Sequence, residues 1–142
     1  MKDMPLDDWI AEYERKTGEE FKPTPGFKLF FFPNRGFAEI RVTEKMIIVR
    51  QMCGEAKFWK DLVGFFAQAL GISHVGTYCI RNIYAYIRLF GFHVVSTEDL
   101  NDGYKRLFCV DKYGNKGQAS PAWKSTRTGV DAYYITWEVT QI

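Results

Sequence analysis

The feature that most constrains this chain is a strand, a helix and a second strand that follow one another directly in its middle part. Residues 46–49, Met-Ile-Ile-Val, form a continuous apolar run, which is typical of a central strand covered on both faces. In residues 58–70 apolar side chains recur at helical spacing, and Gly71 is suited to end that helix. Residues 75–80 are rich in β-branched and aromatic side chains, which predicts another strand. Strands joined in this way should run parallel, so the sequence predicts an α/β domain.

The flanking segments predict further strands and helices around this unit. In residues 37–42 apolar side chains alternate with Glu39 and Arg41, which predicts a strand with one buried and one polar face. Residues 112–129 contain three glycines and a proline, which predicts a long mobile loop. The other predicted elements are a helix between Pro5 and Gly18, strands at residues 27–32, 92–96, 104–110 and 132–139, and a short helix from Asn82 to Gly91.

Composition and charge favour one globular, cytoplasmic domain. The chain of 142 residues has the size of one domain, and 46% hydrophobic with 25% charged residues is typical of globular proteins. The net charge of +2 does not mark the whole surface as a binder of polyanions. The three cysteines form no C-x-x-C pair and there are two histidines, which argues against structural zinc and favours a reducing compartment. Neither a signal-peptide core nor an apolar stretch of about 20 residues is present, so we expect no membrane association.

The turn between the first central strand and the helix, residues 51–58, has the composition of an anion-binding site. The first amides of a helix lack partners within the helix and lie at the positive end of its dipole. Gly54 would let a ligand approach the backbone closely, and Ala56 adds little bulk. We therefore expect an anionic group here, and we expect a bulky residue at Gly54 to block its approach without unfolding the domain.

Two motifs resemble those of the GNAT N-acetyltransferase superfamily. Residues 51–56, Gln-Met-Cys-Gly-Glu-Ala, fit its Q/R-x-x-G-x-G/A signature, which lies between a central strand and the next helix. Residues 82–92 resemble its second motif, in which N-x-x-A opens a helix that ends in G-F. The order of predicted elements from residue 27 to residue 96 is also that of the superfamily. The C-G-x-x-x-x-W turn at residues 53–59 and the residues from Arg81 to Phe92 resemble small phage-encoded members.

This resemblance implies a mixed central sheet with helices on both faces, formed as a single domain by residues 1–142, and acetyl-coenzyme A as the cofactor. The pyrophosphate would lie on the turn, the pantetheine arm along the edge of the preceding strand, and the adenine near the second motif. The partner would be an amine of a small molecule, peptide or protein, acylated in the cytoplasm. The implied cofactor-binding residues are Val49, Gln51, Met52, Cys53, Gly54, Glu55, Ala56, Lys57, Phe58, Asn82, Ala85 and Tyr86.

Transfer of an acetyl group to an amine needs a route for the amine proton and a proton for the departing thiolate. Tyr86, in the second motif, is the candidate proton donor to the thiolate. Glu39, on the polar face of the strand before the cofactor strand, is the candidate base. Cys53 precedes a helix N-terminus, where a thiolate is favoured, but no neighbouring histidine is indicated, and a nucleophilic role is therefore the weaker interpretation.

Three functions stay open on the sequence. The first is an active N-acetyltransferase, with residues 112–129 as part of the acceptor site. The second is a GNAT-shaped binding or interaction protein without catalysis, because the superfamily's tyrosine position falls on Ile87 or Leu89. The third is a modifier or binder of nucleic acid, because aromatic and cationic residues suit stacking and phosphate contacts. The residues that suggest it are Tyr113, Lys116, Trp123, Lys124 and Arg127.

Overall fold

The computed structural model describes residues 3–80, 82–124 and 131–141, apart from the side chain of Asp102. The helices and strands in this part of the chain are α1 (Leu6–Thr17), β1 (Lys28–Phe32), β2 (Gly36–Val42), β3 (Met46–Gly54), α2 (Ala56–Leu70), β4 (His74–Cys79), α3 (Ile83–Leu89), β5 (Phe92–Asp99), β6 (Lys105–Asp111), β7 (Lys116–Lys124) and β8 (Asp131–Glu138), with a short 3-10 turn at Asn101–Gly103. No helix within these ranges is long and apolar enough to cross a membrane.

The strands form one eight-stranded sheet in the order β1-β2-β3-β4-β8-β7-β6-β5. β3 and β4 are parallel, as the succession of strand, helix and strand predicts. The other neighbouring strands are antiparallel. The predicted fold class, a mixed α/β sheet, is therefore confirmed, and its parallel pair lies near the middle.

Helices cover both faces of the sheet. The larger core lies on the face of α2 and α3, where Trp59, Val63 and Ile87 are buried together with Ile47 and Val49 of β3. A smaller core on the other face joins Trp9 and Tyr13 of α1 to Phe37 of β2 and Cys53 of β3. Burial of these large aromatic and aliphatic side chains from water stabilises both layers. The end of β3 is thus held between α1 on one side and α2 on the other.

The helix ends have the residues that the sequence analysis assigns to them. Gly18 follows α1 at a φ of 71° and its N–H donates to the carbonyl of Glu14, and Gly71 follows α2 at the same φ. This left-handed conformation suits glycine because it has no Cβ. Asn82 caps α3, since its side-chain oxygen accepts from the N–H of Ala85 at 3.1 Å. The cap holds α3 beside the end of β4.

The predicted polar face of β2 is wrong. Its first five residues are all buried, including Glu39 at 2% exposure, whereas Arg41 and Val42 are exposed. The alternation fails because α1 covers one face of this part of the strand and α2 covers the other. Glu39 therefore lies in the interior rather than on a solvated surface.

The predicted loop at residues 112–129 is wrong over most of its length. Lys116–Lys124 is strand β7, which pairs with β6 on one side and β8 on the other. Residues 112–115 form the turn before it. Residues 125–129, the remainder of the predicted loop, lie outside the described residues.

Gly117 and Pro121 are two of the four residues that predict that loop, and the structure accommodates both within β7. A Cβ on Gly117 would lie 2.9 Å from Sγ of Cys109, so the strand needs a glycine for close packing. Pro121 lies next to an irregularity in the pairing with β8. The pairing with β6 ends at Ala119, two residues earlier. At such a place a missing N–H costs no ladder hydrogen bond.

Candidate functional site

A crevice opens between β3 and β4 where these parallel strands diverge. They are paired from Met46 and His74 as far as Val49 and Thr77. Beyond that point β3 stays with β2, and β4 stays with β8 through Cys79. The carboxyl ends of parallel strands are the usual place for ligands in α/β sheets. The backbone edge of β3 that faces the crevice is therefore free of β4 beyond Val49.

A β-bulge sets the direction of β3 at this point. Ile40 is opposite Val49 and Ala38 is opposite Met52, so Arg50 and Gln51 together face the single residue Glu39. A bulge of this kind bends a strand and redirects its side chains. Before it Val49 belongs to the core beneath α2, and after it Cys53 belongs to the core beneath α1.

The crevice forms a cavity of about 360 Å³ that extends from the first turn of α2 to the loop after α1. It is the size of cavity that accepts a small organic ligand. The structure brings six of the predicted site residues to its wall, namely Gln51, Met52, Cys53, Gly54, Ala56 and Tyr86.

Other predicted cofactor residues do not line this cavity. Val49 is buried in the core at 3% exposure. The carboxylate of Glu55 pairs with Arg35, and the ring of Phe58 lies 5.5 Å from that of Phe32. Lys57 is exposed, and its side chain comes near Gly91. Their proposed contacts with a cofactor would therefore be made through the backbone of the turn rather than by these side chains in the cavity.

Asn82 and Ala85, two predicted residues of the second motif, lie at the start of α3. Asn82 is exposed, and its side-chain oxygen is engaged as the cap of the helix by the N–H of Ala85. Neither residue is part of the cavity wall. Tyr86, one turn later, faces the cavity and its ring contacts Phe90 with centroids 4.8 Å apart. The motif thus contributes a phenol to the site, and the adenine contact of Asn82 and Ala85 stays a prediction.

Glu39 lies behind the cavity wall and supports two residues of that wall. Its carboxylate accepts from the N–H of Thr24 at 2.8 Å, from the Thr24 hydroxyl at 2.7 Å, and from Nε2 of Gln51 at 2.7 Å. Gln51 also donates to the carbonyl of Lys22 at 2.6 Å. These bonds fix the loop after α1 against the bulge in β3. The role of Glu39 as a base stays a prediction, and its geometry is that of a buried acceptor.

A glycine is required at position 54 because the backbones of β2 and β3 come very close together there, and not only because a ligand could approach. It pairs with Gly36, and the two have φ values of 113° and 105°. A Cβ on Gly54 would lie 2.0 Å from the carbonyl oxygen of Arg35 and 2.9 Å from Cα of Gly36. Such distances require the two strands to move apart. The expectation that a bulky residue here blocks a ligand without disturbing the fold is therefore wrong.

The first turn of α2 faces the end of the crevice. The N–H of Glu55 donates to the carbonyl of Arg35 at 3.0 Å, which ties the start of the helix to the turn after β1. The next three amides, of Ala56, Lys57 and Phe58, are the first of the helix and have no acceptor within it. They lie at the positive end of the helix dipole, where an anionic group is favoured.

Several residues of the cavity wall were missed by sequence reasoning. Arg50 interrupts an apolar strand, which is the sequence signal that could have found it. Tyr78 of β4 and Trp123 of β7 reach the same cavity from the other side of the crevice, with ring centroids 5.2 Å apart. For Trp123 the sequence predicts a place in a loop and a stacking contact with nucleic acid, but neither strand β7 nor this cavity.

Tyr13 brings a second phenol to the cavity from α1. Burial, together with the negative charges of Glu19 and Glu39, raises its pKa to about 12. The phenol therefore stays protonated at neutral pH and is available as a donor but not as a base. In the sequence, the helical spacing of Tyr13 with Trp9 and Ile10 indicates only the apolar face of the first helix.

The residues behind the nucleic-acid hypothesis do not form one patch. Tyr113 and Lys116 lie at the start of β7, and Trp123 and Lys124 lie at its end. A strand of this length separates them by about 26 Å at about 3.3 Å per residue. Arg127 lies outside the described residues. Of those named residues that the structure describes, only Trp123 lines the cavity.

Comparison with known proteins gives different results for sequence and for structure. No protein-family model and no curated protein matches the sequence. Among solved structures, the ribosomal-protein-S18-alanine N-acetyltransferase from Escherichia coli is similar over 99% of this chain and 94% of its own, with a TM-score of 0.48 and 10% identity. A likeness at this level assigns neither a family nor an activity to the chain. None of these findings concerns phage-encoded proteins, so that resemblance stays a prediction.

Proposed function

We propose that this protein binds acetyl-coenzyme A in the crevice between β3 and β4 and transfers the acetyl group to an amine. The observation that carries the proposal is the divergence of the two parallel strands after Val49 and Thr77. It leaves the backbone of β3 exposed along a cavity that ends at the first turn of a 15-residue helix. A linear ligand with an anionic group at one end and amides along its length fits this arrangement.

The crevice supplies a matching partner for each part of that ligand. The amides of Ala56, Lys57 and Phe58 would hold the pyrophosphate at the positive end of α2. The pantetheine amides would pair with the free edge of β3 as an added strand does. From Gly54 back to Arg50 the strand covers about 13 Å at about 3.3 Å per residue, which is comparable with an extended pantetheine arm. The thioester would then lie beside the bulge.

The chemistry is the attack of an amine nitrogen on the thioester carbonyl carbon. A carbon–nitrogen bond forms, the carbon–sulfur bond breaks, the amine loses a proton to water, and the leaving sulfur takes up one proton. Tyr86 lines the cavity and is the proposed donor of that proton. Glu39, through Gln51, keeps the bulge and the loop after α1 in place around the reacting atoms.

A substitution at Ala56 tests the position of the pyrophosphate. Ala56→Pro removes one amide donor, and proline is well suited to the first position of a helix. The preceding residue, Glu55, is extended at φ −81° and ψ 98°, which a following proline requires. Ala56→Val is the matched control, because it adds the same number of side-chain carbons and keeps the N–H.

The measurement is calorimetric titration with acetyl-coenzyme A and with acetyl-pantetheine, which lacks the pyrophosphate. One hydrogen bond to a charged group is worth about 1.5–3 kcal/mol, so Ala56→Pro should weaken acetyl-coenzyme A binding by about 10- to 150-fold. Ala56→Val should change it by less than about threefold, and acetyl-pantetheine should not distinguish the two variants. Equal affinity of the two variants for acetyl-coenzyme A would show that the pyrophosphate does not lie there.

A second function, acyl-coenzyme A binding without transfer, is favoured by the burial of Glu39. At 2% exposure and with three hydrogen bonds, this carboxylate is not positioned to take a proton from a ligand in the cavity. Incubation with acetyl-coenzyme A and a panel of amines, followed by thiol release, separates the two functions. Thiol release that depends on the amine supports transfer, and binding without it supports the second function.

A further inference from the structure

Arg50 stands out among the charged residues of the cavity wall. Lys16 lies 3.5 Å from Glu12 and Lys22 lies 3.7 Å from Glu20, so both lysines have a carboxylate partner. Among the residues that the structure describes, Arg50 forms no ion pair. Its guanidinium lies 6.0 Å from the centroid of the Tyr78 ring. The charge of Arg50 also lies near the Tyr13 phenol, whose pKa it lowers, but no described carboxylate pairs with the guanidinium, which is therefore available to bind an anion.

The position of Arg50 separates it from the proposed pyrophosphate site. It lies at the bulge, at the opposite end of the free β3 edge from Gly54 and the first turn of α2. Val49 points into the core beneath α2, so the next side chain along the strand points toward the face of α1. Arg50 therefore faces the part of the cavity where the amine has to approach the thioester.

A wall of aromatic rings stands next to Arg50. Tyr78 contacts Trp123 and Tyr134, with ring centroids 5.2 Å and 4.8 Å apart. Tyr134 is held by a hydrogen bond from its hydroxyl to Sδ of Met46 at 3.1 Å. Trp123 is 46% exposed although it lines the cavity. These rings offer a rigid apolar surface for the carbon skeleton of a small ligand.

We propose that the acceptor is a small amine that carries a carboxylate, such as a free amino acid, and that Arg50 binds this carboxylate. The inference rests on the proposed acetyl transfer and specifies its acceptor. The carboxylate of the acceptor forms a bidentate pair with the guanidinium, and its carbon skeleton lies on the rings of Tyr78 and Trp123. The amine of the acceptor then points toward the thioester. Glu19 and Glu20 also line the cavity, which favours a zwitterion over a dianionic phosphate.

Matched acceptors and matched variants test this assignment. The acceptors are free amino acids, the carboxamides of the same amino acids, and phosphoethanolamine, each assayed by thiol release from acetyl-coenzyme A. The variants are Arg50→Gln and, as a control, Arg41→Gln, which removes the same charge from an exposed position on β2 outside the cavity. Arg50→Lys keeps the charge without the planar pair of donors.

We expect the wild-type protein to prefer each amino acid to its amide by about 10- to 100-fold in kcat/KM, because a charge-assisted pair is lost with the amide. Arg50→Gln should reduce that ratio to below about threefold, mainly through KM, and Arg50→Lys should give an intermediate ratio. Arg41→Gln should keep the wild-type ratio. The affinity for acetyl-coenzyme A should be the same in all four proteins.

Each other outcome overturns the assignment. If the wild-type protein acetylates amino acids and their amides equally well, the acceptor is not recognised by a carboxylate, although the proposed acetyl transfer is still supported. If the wild-type protein prefers phosphoethanolamine to the amino acids, the group recognised in the acceptor is a phosphate and not a carboxylate. If Arg50→Gln loses affinity for acetyl-coenzyme A, Arg50 binds the coenzyme and not the acceptor. Absence of acetyl-coenzyme A binding by the wild-type protein would refute the proposed function and this inference with it. If Arg50→Gln does not fold, the ratio measured for Arg50→Lys decides, and an unchanged ratio refutes the role.

Discussion

Replacement of Gly54 by alanine should destabilise the fold far more than a single methyl group ordinarily does. The new Cβ would lie 2.0 Å from the carbonyl oxygen of Arg35 and 2.9 Å from Cα of Gly36. It would also stand on a backbone with φ of 113°, which residues other than glycine rarely adopt. The contact involves main-chain atoms, so no side chain can turn aside to relieve it.

The magnitude follows from two contributions. The backbone conformation costs about 1–3 kcal/mol for a residue with a Cβ. Moving β2 and β3 apart also loses the hydrogen bond from the N–H of Glu55 to Arg35 and weakens the last pair of the ladder, at about 0.5–1.5 kcal/mol for each bond. We expect a total loss of about 2–6 kcal/mol, a large part of the 5–15 kcal/mol that is usual for a domain of roughly this size.

The assay is thermal and urea unfolding followed by circular dichroism. A loss of this size should lower Tm by roughly 10–20 °C for a chain of this length. Gly64→Ala is the matched control, because Gly64 lies inside α2 and a Cβ there would meet no atom within 4 Å. Alanine in the interior of a helix is favoured over glycine by about 0.5–1 kcal/mol, so the control should be slightly more stable than the wild type.

Two results would refute this reasoning. A Gly54→Ala protein with a Tm within about 3 °C of the wild type would show that β2 and β3 accommodate the methyl group. A Gly64→Ala protein that loses as much stability as Gly54→Ala would show that the effect does not depend on the crossing. If the prediction holds, loss of ligand binding in Gly54 variants reports unfolding of the crevice, and Ala56→Pro is the cleaner test of the pyrophosphate site.

Two further predictions concern a proposed catalytic group and a buried ion pair. Tyr86→Phe should preserve acetyl-coenzyme A affinity and lower turnover by about 10- to 10⁴-fold, as expected for loss of general acid catalysis, and unchanged turnover would assign Tyr86 to packing against Phe90. Burial alone would raise the pKa of Asp111, but hydrogen bonds from Lys60 and Asn115 and the charge of Lys60 outweigh it, so the pKa lies below its usual value. The resulting stability is present above the usual aspartate pKa of 3.8 and is lost as the pH falls through the lower folded value. Urea unfolding at a series of pH values from about 5 to about 2 should therefore show that the free energy of unfolding falls more steeply for the wild type than for Asp111→Asn. Parallel plots of this free energy against pH would contradict the lowered pKa of Asp111.

Local chemistry was sufficient to predict the central part of the fold. The apolar run at residues 46–49 and the helical stripe after it have short-range periodicities that survive in almost any globular context. Glycines at the helix ends and Asn82 as a cap act on neighbouring backbone, so their roles could also be read from the sequence. The parallel pair β3 and β4 and the position of the turn at Gly54 follow from these elements.

Tertiary structure decided which faces are covered. Glu39 alternates with apolar neighbours as an exposed residue does, but α1 lies over it and Thr24 and Gln51 satisfy its carboxylate. Segment 116–124 contains a glycine and a proline that ordinarily break strands, and only the approach of Cys109 and the end of the pairing with β6 make them acceptable. Such contacts join residues far apart in the chain, so no local pattern contains them.

In the candidate site, too, some residues could be predicted from the sequence and others are brought together only by the tertiary structure. The sequence predicts Gln51, Gly54 and Ala56 at one site because a strand end and a helix start are adjacent in the chain, whereas Tyr86 joins them only through the resemblance of its motif to that of the superfamily. Arg50, Tyr78 and Trp123 come from three strands, and they meet only because β4 leaves β3 after Val49. The sequence by itself determined where a helix starts, because that is a local feature, and the proposed site for the anionic end of a ligand depends on it. The sheet determined what lies at the other end, because strand order and bulges are set by packing of the whole chain.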